Sequence, residues 1–401
     1  MKYFLFNKRK IFFAVLLFIT AVFVSHAESV EQKKQTNGWK TNYTYVFVHG
    51  LSGWGHYDAV NKIFPYWGMK NGSLIKFLRK QGFKAYDASV SPQGSAWDRA
   101  CELYAQLTGT VTDYGKEHSL RCGHSRYGKD FSKEPLIHLW NSENKINLLG
   151  HSFGGVTVRL LAHLMAEGSE AERACTEEDD ISPLFTGGKG DWIYSLTTLA
   201  SPHNGTSAYH VPDENPEPKT RMQKAMDKVN APKKDGRLEI DFADYDMHIQ
   251  NAGEMNRWIT TLKNAYYYSF ACTATVKQED GTYEPQEDIM ENLFKRSSRR
   301  MGRFEGTTPD GIVLGREWRE NDGLVNTLSA LAPDYSPKEF ISAEDKNFYD
   351  YKKGVWYVMP VYRGDHMSLQ GGLTIKNDIR DFYLEHLNRI NRLNDEFRTN
   401  P

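Results

Sequence analysis

The sequence carries no excess of charge of either sign. Its 401 residues contain 50 Lys and Arg against 51 Asp and Glu, which gives a formal net charge of -1. A protein that binds nucleic acid typically needs a basic surplus, because its phosphate contacts come from Lys and Arg. The charge balance therefore gives no reason to expect a nucleic-acid partner. The hydrophobic fraction of 40% instead favours a globular protein with a large core.

Long hydrophobic runs are also missing after the N-terminal segment. The one such run, residues 11–24, is preceded by a basic start and followed by the small residue Ala27. This order is typical of a signal peptide, so we expect residues 1–27 to be removed and the protein to be exported, either secreted or periplasmic. A membrane anchor is the alternative, but the run is shorter than the ~20 residues that cross a bilayer. We expect no transmembrane anchor after cleavage.

Cysteine is scarce as well. The chain has four, at Cys101, Cys122, Cys175 and Cys272. In an exported protein they can form disulfides in three alternative pairings, or remain free buried thiols in a protein that needs no covalent cross-link. Their spacing does not choose between these alternatives.

The sequence does contain short, apolar, β-rich runs that alternate with helical patterns. The runs cover residues 43–48, 146–149, 193–200, 266–271 and 355–361, and apolar residues recur at helical spacing in residues 155–166 and 379–390. This alternation predicts an α/β fold with a mostly parallel sheet and helices on both faces. Residues 205–245, rich in proline and charge, are predicted to form a cap or lid insertion, with a solvated loop as the alternative. No clean linker divides the chain, so we expect one catalytic domain over residues 28–401.

A catalytic motif lies between one predicted strand and one predicted helix. Gly150-His151-Ser152-Phe153-Gly154 matches G-x-S-x-G, the sharp turn that presents the nucleophile in the α/β-hydrolase fold. Ser152 is therefore the predicted nucleophile, and the amide of Phe153 is predicted to face the developing oxyanion. A second oxyanion donor is predicted at Leu51, which follows a strand that ends in His-Gly. A surface turn of small residues is the alternative, but it does not explain why the periodicity changes at this point.

The base and the acid follow from the chain order of this fold, which is Ser, then acid, then His. Among the histidines beyond Ser152, only His366 lies in a loop directly after an apolar strand, so it is the predicted general base. Asp322, in a turn 44 positions earlier, is the predicted orienting acid. Asp365 is the competitor, but adjacent side chains tend to diverge.

Several motifs in the same order resemble the staphylococcal and thermoalkaliphilic Bacillus-type lipases. The resemblance runs with gaps from about residue 45 to residue 383 and rests on His49-Gly50, Trp97-Asp98-Arg99-Ala100-Cys101-Glu102, His151-Ser152-Phe153-Gly154-Gly155, Ser201-Pro202-His203-Asn204-Gly205-Thr206, Glu320-Asn321-Asp322-Gly323-Leu324-Val325-Asn326-Thr327 and Asp365-His366. It implies an α/β-hydrolase that cleaves triacylglycerols or other carboxylic esters. It points to the same triad and the same two oxyanion donors.

The resemblance also implies a structural zinc site. The residues that match its ligand pattern are Asp98, His118, His124 and Asp241, with the first three in an insertion at about residues 92–130. Two imidazoles and two carboxylates suit tetrahedral Zn²⁺. Without the resemblance these four residues would be scattered polar side chains.

The chain departs from the family pattern after the predicted base. The family has a carboxylate two residues after the catalytic His and an Asp-Pro pair soon after, which bind calcium, whereas this chain has Ser368 and then Gly371-Gly372-Leu373-Thr374. We therefore expect the calcium site to be absent. The predicted cap is also shorter and more charged, which puts a preference for long acyl chains and action at a lipid-water interface in doubt.

Three readings of the function remain open at this point. The first is a triacylglycerol lipase, and the second is a short-chain esterase or an acyltransferase with the same triad. The third is an inactive hydrolase-like protein that binds lipid or a partner in its cleft. The complete triad argues against the third.

Overall fold

The computed structural model describes residues 42–211, 237–344 and 350–393. The predicted signal peptide and residues 212–236 of the predicted cap lie outside the described residues. Within the described part, no helix is both long and apolar enough to cross a membrane.

The described residues form a central sheet of seven parallel strands. These are β1 (Thr44–Val48), β2 (Ala85–Ala88), β3 (Ile146–His151), β4 (Ile193–Leu199), β5 (Tyr266–Phe270), β6 (Lys338–Phe340) and β7 (Trp356–Val358). Their spatial order is β6-β7-β5-β4-β3-β1-β2, and every neighbouring pair is parallel. Parallel neighbours require crossover connections, which the helices supply. The predicted α/β class with a parallel sheet is confirmed.

The edge strands β2 and β6 were not predicted. Both are short, and all three residues of β6 are exposed, so β6 lacks the apolar run that marks a buried strand. The run predicted at residues 355–361 is also shorter in the structure: β7 ends at Val358, and Tyr362–Arg363 pairs instead with Cys272–Thr273.

Helices cover both faces of the sheet, as predicted. They are α1 (Ala59–Ile63), α2 (Leu74–Lys80), α3 (Ala96–Thr108), α4 (Lys116–Cys122), α5 (Phe153–Glu167), α6 (Glu170–Cys175), α7 (Pro183–Thr186), α8 (Ala243–Met247), α9 (Ile249–Trp258), α10 (Asn292–Arg303), α11 (Thr327–Leu331) and α12 (Arg380–Asn391). Single 3-10 turns lie at Met69–Asn71, Gly190–Trp192, Ser207–Tyr209, Glu239–Asp241, Arg316–Trp318 and Ser368–Gln370. The helices predicted at 155–166 and 379–390 correspond to α5 and α12.

The described residues also form three further two-stranded ribbons outside the central sheet. They pair Val111–Asp113 with Tyr127–Asp130, Thr275–Lys277 with Tyr283–Pro285, and Gly306–Thr307 with Val313–Leu314. The first ribbon and α4 lie in the segment predicted as the metal-binding insertion.

The hydrophobic core lies on both sides of the sheet. Along β1, Tyr45 and Phe47 pack into one apolar cluster while Val46 and Val48 pack into another, and all four are fully buried. A strand buried on both faces reads as a continuous apolar run, which is why β1 was recognisable from sequence. All four cysteines are unpaired, so the disulfide alternative is wrong and the free-thiol alternative holds.

Candidate active site

Ser152 lies at the turn between β3 and α5 with an unusual backbone conformation. Its φ of 53° and ψ of -130° are sparsely populated for a non-glycine residue. The end of β1 approaches this turn so closely that glycine is required at two positions. A Cβ on Gly50 would come within 2.7 Å of the Ser152 Cβ, and a Cβ on Gly154 would come within 2.3 Å of the Val48 carbonyl oxygen. This is the geometry of a nucleophile elbow, in which the turn lifts the hydroxyl above the sheet.

The structure brings the three predicted triad residues together. The His366 Nε2 lies 2.9 Å from the Ser152 Oγ, and the His366 Nδ1 lies 2.8 Å from the Asp322 Oδ2. The other carboxylate oxygen of Asp322 accepts hydrogen bonds from the amides of Leu324 and Val325, at 3.0 and 2.8 Å. Asp322 is therefore held in place while it faces the imidazole. The arrangement can deprotonate the serine hydroxyl and stabilise the imidazolium that results.

Asp365, the competing candidate for the acid, faces away from the neighbouring imidazole. One of its oxygens accepts a hydrogen bond from the Glu291 amide at 2.8 Å, and the other accepts from the Met367 amide at 3.0 Å and the Ser368 hydroxyl at 2.9 Å. Burial raises the pKa of Asp365 to about 6. The structure therefore places Asp322, and not Asp365, against His366.

The two predicted oxyanion donors lie on either side of the serine. Phe153 is the first residue of α5, where backbone amides have no partner within the helix. Leu51 lines the same cavity as Ser152, and its amide makes no hydrogen bond within the described residues. Both amides are therefore free to bind a negatively charged oxygen next to the Ser152 hydroxyl.

Ser152 and His366 open into an apolar cavity of about 410 Å³. Its other walls include Leu51, Trp54, Met69, Leu293, Phe294, Leu324, Val325 and Leu373. A cavity of about 420 Å³ beside Phe382 contains none of the triad residues. The cavity at the triad has the size and polarity of a site for an apolar small molecule or acyl group.

Comparison with known proteins identifies the family. A model described as the C-terminal domain of lipase-like proteins matches residues 41–243 and 237–395. The lipase of Staphylococcus hyicus is 31% identical over an alignment of 363 positions, which covers 83% of this chain and 54% of that protein. The chain belongs to the staphylococcal-type lipase family. The resemblance noted in the sequence is confirmed, although the chain spans about half the length of the curated staphylococcal lipases it matches.

Solved structures of similar proteins agree with the family fold. EstA from Clostridium botulinum matches with a TM-score of 0.75 and 30% identity, over 88% of both chains. Lipase 1 from Pelosinus fermentans matches with a TM-score of 0.71 and 30% identity, over 88% of this chain and 99% of that one. The predicted α/β-hydrolase fold is confirmed.

The four residues predicted from the family pattern as metal ligands also converge. Asp98 comes from the first turn of α3, His118 from α4, and His124 from the loop after it. Asp241 comes from the 3-10 turn Glu239–Asp241, near the end of the predicted cap. One ligand atom from each lies within 4.8 Å of all the others. The structure therefore contains a cluster that is able to hold a metal ion.

The distances within this cluster fit a tetrahedral ion. Ligands bound at 2.0–2.1 Å to a tetrahedral centre lie about 3.3 Å apart. The His118 Nε2 lies 3.1 Å from an Asp98 oxygen and 3.2 Å from an Asp241 oxygen, and the His124 Nε2 lies 3.2 Å from the other Asp241 oxygen. Both the His124 Nε2 and that Asp241 oxygen are buried, and neither has a hydrogen-bond partner among the described residues. Polar atoms in this state are what a bound cation would satisfy.

His151, which sequence reasoning did not assign, links His366 to Gly50, the residue before the predicted oxyanion donor Leu51. The ring of His151 lies 2.9 Å from the His366 carbonyl oxygen through Nε2 and 2.6 Å from the Tyr66 hydroxyl through Nδ1. Burial holds the pKa of His151 well below its usual value, so the ring is neutral. Since a carbonyl only accepts, Nε2 carries the proton, and the Tyr66 hydroxyl donates to Nδ1 while accepting from the Gly50 amide. The position before Ser152 was visible in the motif, but its partners were not.

Glu291 holds the loop that follows His366, a role that no sequence feature indicated. Its carboxylate accepts hydrogen bonds from the amides of Leu373, Thr374 and Ile375 and from the Thr374 hydroxyl. Burial alone would raise the pKa of Glu291, but these bonds favour the charged form and lower its pKa below the usual value. This carboxylate engages the backbone where the family pattern has calcium ligands. The absence of a calcium site stays a prediction.

We expect the stabilising effect of Glu291 to depend on pH. A carboxyl whose pKa is lowered by folding stabilises the fold above its unfolded pKa of about 4.3, and this contribution is lost as the pH falls through the folded pKa. Glu291→Gln should therefore lower Tm at pH 7, and the gap from the unaltered protein should narrow below about pH 4. Thermal unfolding from pH 8 to pH 3 measures this gap. Glu143→Gln, at an exposed glutamate, is the control; an equal gap at every pH would contradict the role of the charge.

Proposed function

We propose that the protein is a carboxylic ester hydrolase that works through an acyl-enzyme. The observation that carries this proposal is the continuous hydrogen-bonded line from the Ser152 hydroxyl through His366 to Asp322 at the wall of an apolar cavity. The names of the relatives that are called lipases support the same chemistry.

In this proposal, His366 takes the proton of Ser152 while the serine oxygen attacks the ester carbonyl. The amides of Leu51 and Phe153 stabilise the oxyanion, and Asp322 holds the imidazole in the tautomer that accepts at Nε2. His366 then protonates the leaving alcohol. A water molecule, activated by the same imidazole, releases the acid and restores the serine.

The proposed substrate is a triacylglycerol or another ester with an apolar acyl group. The apolar walls of the 410 Å³ cavity favour an apolar acyl group. The same cavity also suits a short-chain esterase or an acyltransferase. An inactive protein that binds lipid in this cavity is the alternative outside enzymes.

Labelling and a chain-length series test these alternatives. A fluorophosphonate should label the protein at Ser152, and failure to label correctly folded protein would favour the binding alternative. Rates on p-nitrophenyl esters from acetate to palmitate then separate the enzymes. A lipase should reach its highest kcat/KM on long chains and an esterase on short ones, while an acyltransferase should form a new ester when an acceptor alcohol is added.

We further propose that Asp98, His118, His124 and Asp241 hold a structural Zn²⁺. Two neutral imidazoles and two carboxylates would give a neutral, closed tetrahedral site, in which the ion cross-links the chain rather than activating water. The site would join α3 and α4 to the end of the predicted cap, which contains Asp241. A rival cation is present: the Arg237 guanidinium donates to Asp98 and lies 3.4 Å from an Asp241 oxygen.

Removal of the metal should lower the thermal stability of the protein. Binding at a thousandfold excess over Kd contributes about 4 kcal/mol, which corresponds to a fall in Tm of roughly 5 °C for a chain of this length. Elemental analysis and thermal unfolding before and after chelation, with Zn²⁺ added back, measure the effect. His118→Gln should lose the metal, whereas His163→Gln, at a histidine outside the cluster, should retain it. Purified protein without metal and with unchanged Tm after chelation would show that Arg237 alone balances the carboxylates.

We also propose that residues 1–27 direct export and that residues 28–401 form one catalytic domain. The basic start, the apolar run and Ala27 support this proposal. N-terminal sequencing of the protein recovered outside the cytoplasm should begin at Glu28. An unprocessed N-terminus in a membrane fraction would favour the anchor alternative.

A further inference from the structure

Arg99 is a fully buried cation next to the proposed oxyanion donors. Its guanidinium donates to the carbonyl oxygens of His49, Gly50 and Ser91, and its Nε donates to the Thr157 hydroxyl at 3.0 Å. Within the described residues, every acceptor of its hydrogen bonds is uncharged. A guanidinium keeps its charge at neutral pH, so this side chain is a buried cation.

A cation in this position is costly for the fold. Transfer of a charge into the protein interior carries a large desolvation penalty, which a directly paired carboxylate would usually offset. Carbonyl oxygens offset it only in part. A purely structural contact at this position could be made by a neutral donor, so the charge itself requires an explanation in the neighbouring site.

The guanidinium fixes the peptide that carries the first donor. The Gly50 carbonyl oxygen lies 3.3 Å from Arg99 Nη1 and 2.8 Å from His49 Nδ1, which carries the ring proton because His49 Nε2 accepts from the Val90 amide. The Gly50 carbonyl and the Leu51 N–H belong to one planar trans peptide, so they point in opposite directions. The Gly53 amide also donates to this oxygen, at 3.2 Å. The three donors hold the carbonyl on the buried side and thereby turn the Leu51 N–H toward the cavity that contains Ser152.

Arg99 also contacts the second donor residue. Its Cζ lies 5.1 Å from the centre of the Phe153 ring. The Thr157 hydroxyl, which accepts from Arg99, donates in turn to the Phe153 carbonyl at 3.0 Å. One buried side chain thus touches the strand end before Leu51 and the first turn of α5.

We propose that Arg99 is a positioning residue for the oxyanion hole, which orients and polarises the Leu51 N–H through the Gly50 carbonyl and stabilises negative charge on the reacting oxygen. A charged donor on a carbonyl strengthens the N–H of the same peptide as a hydrogen-bond donor, and a water-excluded interior preserves the effect of the charge. This inference rests on the proposed ester hydrolysis by Ser152.

The test compares Arg99→Gln and Arg99→Lys with the unaltered protein. Fluorophosphonate labelling counts the reactive serines, and kcat is expressed per labelled site. We expect Arg99→Gln to lower kcat by roughly tenfold to a hundredfold with little change in KM, since loss of one oxyanion donor typically costs at least this much. Arg99→Lys keeps the charge but loses the planar guanidinium, so its kcat should lie between those of Arg99→Gln and the unaltered protein. The Ki of a trifluoromethyl ketone, which binds as an oxyanion, should rise by the factor by which kcat/KM falls.

Arg159→Gln is the matched control. Arg159 is also fully buried, but its partners are Asn256 and His203 rather than the oxyanion loop. It should lower Tm without changing kcat per labelled site or the Ki of the ketone. If the Arg99 variants behave in the same way, with kcat and Ki within about twofold of the unaltered protein, Arg99 is structural and the inference is overturned.

Thr157→Val covers the case in which the Arg99 variants do not fold. It removes the acceptor of the Arg99 Nε and leaves the guanidinium in place, so kcat should fall and Ki should rise by about threefold or more, while Thr157→Ser should restore both. Unchanged values in Thr157→Val would overturn the inference. Failure of the unaltered protein to react with the fluorophosphonate would instead refute the proposed hydrolase function.

Discussion

Ser152→Ala should abolish ester hydrolysis, with kcat lowered by roughly 10⁶-fold and only the slow residual rate from binding and oxyanion stabilisation remaining. The reason is that His366 lies 2.9 Å from the Ser152 Oγ and no other hydroxyl is hydrogen-bonded to its Nε2 within the described residues. Rates on a p-nitrophenyl ester measure the loss. Thermal unfolding should show that the variant remains folded, because alanine removes one buried hydroxyl and does not leave a large cavity.

Ser201→Ala is the matched control for this prediction. Ser201 is buried, like Ser152, and its hydroxyl has no hydrogen-bond partner in the part of the chain that the structure describes. Its removal should leave kcat within a few fold of the unaltered protein. Turnover by folded Ser152→Ala at an undiminished rate would refute the acyl-enzyme mechanism, whatever the control shows.

Asp322→Asn should lower kcat by about 10⁴-fold while the protein stays folded. The asparagine oxygen can still accept from the amides of Leu324 and Val325, which places the side-chain NH₂ toward His366 Nδ1. Nδ1 must then accept, so the proton moves to Nε2 and the ring can no longer take a proton from Ser152. The imidazolium also loses its counter-charge.

Asp365→Asn separates this catalytic effect from damage to the loop. Asp365 anchors the same loop through Glu291, Met367 and Ser368 but does not face the imidazole. The substitution should lower Tm and reduce kcat by no more than about tenfold, because it loosens the base without changing its tautomer. A larger loss of kcat in Asp365→Asn than in Asp322→Asn would show that Asp365, and not Asp322, is the acid.

The parts of this protein that the sequence predicts are those encoded by neighbouring residues. Strands β1, β3, β4 and β5 are buried on both faces, so they appear as apolar runs, and the change from strand to helix at Ser152 is visible in the periodicity. The pairing of Ser152 with Asp322 and His366 was predicted because the fold imposes an order on the triad along the chain. The ligand cluster came from the family pattern alone.

Edge strands and interior polar contacts depend on tertiary structure. Strand β6 is fully exposed, so its composition carries no periodic pattern, and pairing with β7 alone defines it. In the sequence, Arg99 cannot be told from any other arginine in a helix. Only the fold buries it against the carbonyls of His49 and Gly50, about 50 positions earlier in the chain. Glu291 likewise meets its amide partners more than 80 positions away. The sequence alone thus determined the class of fold and the three residues proposed to react, because apolar periodicity and motif order can be read along the chain. Only the tertiary structure decided that Arg99 holds the peptide before Leu51 and that Glu291 holds the loop after His366. These contacts join residues far apart in the chain, so no local sequence pattern encodes them.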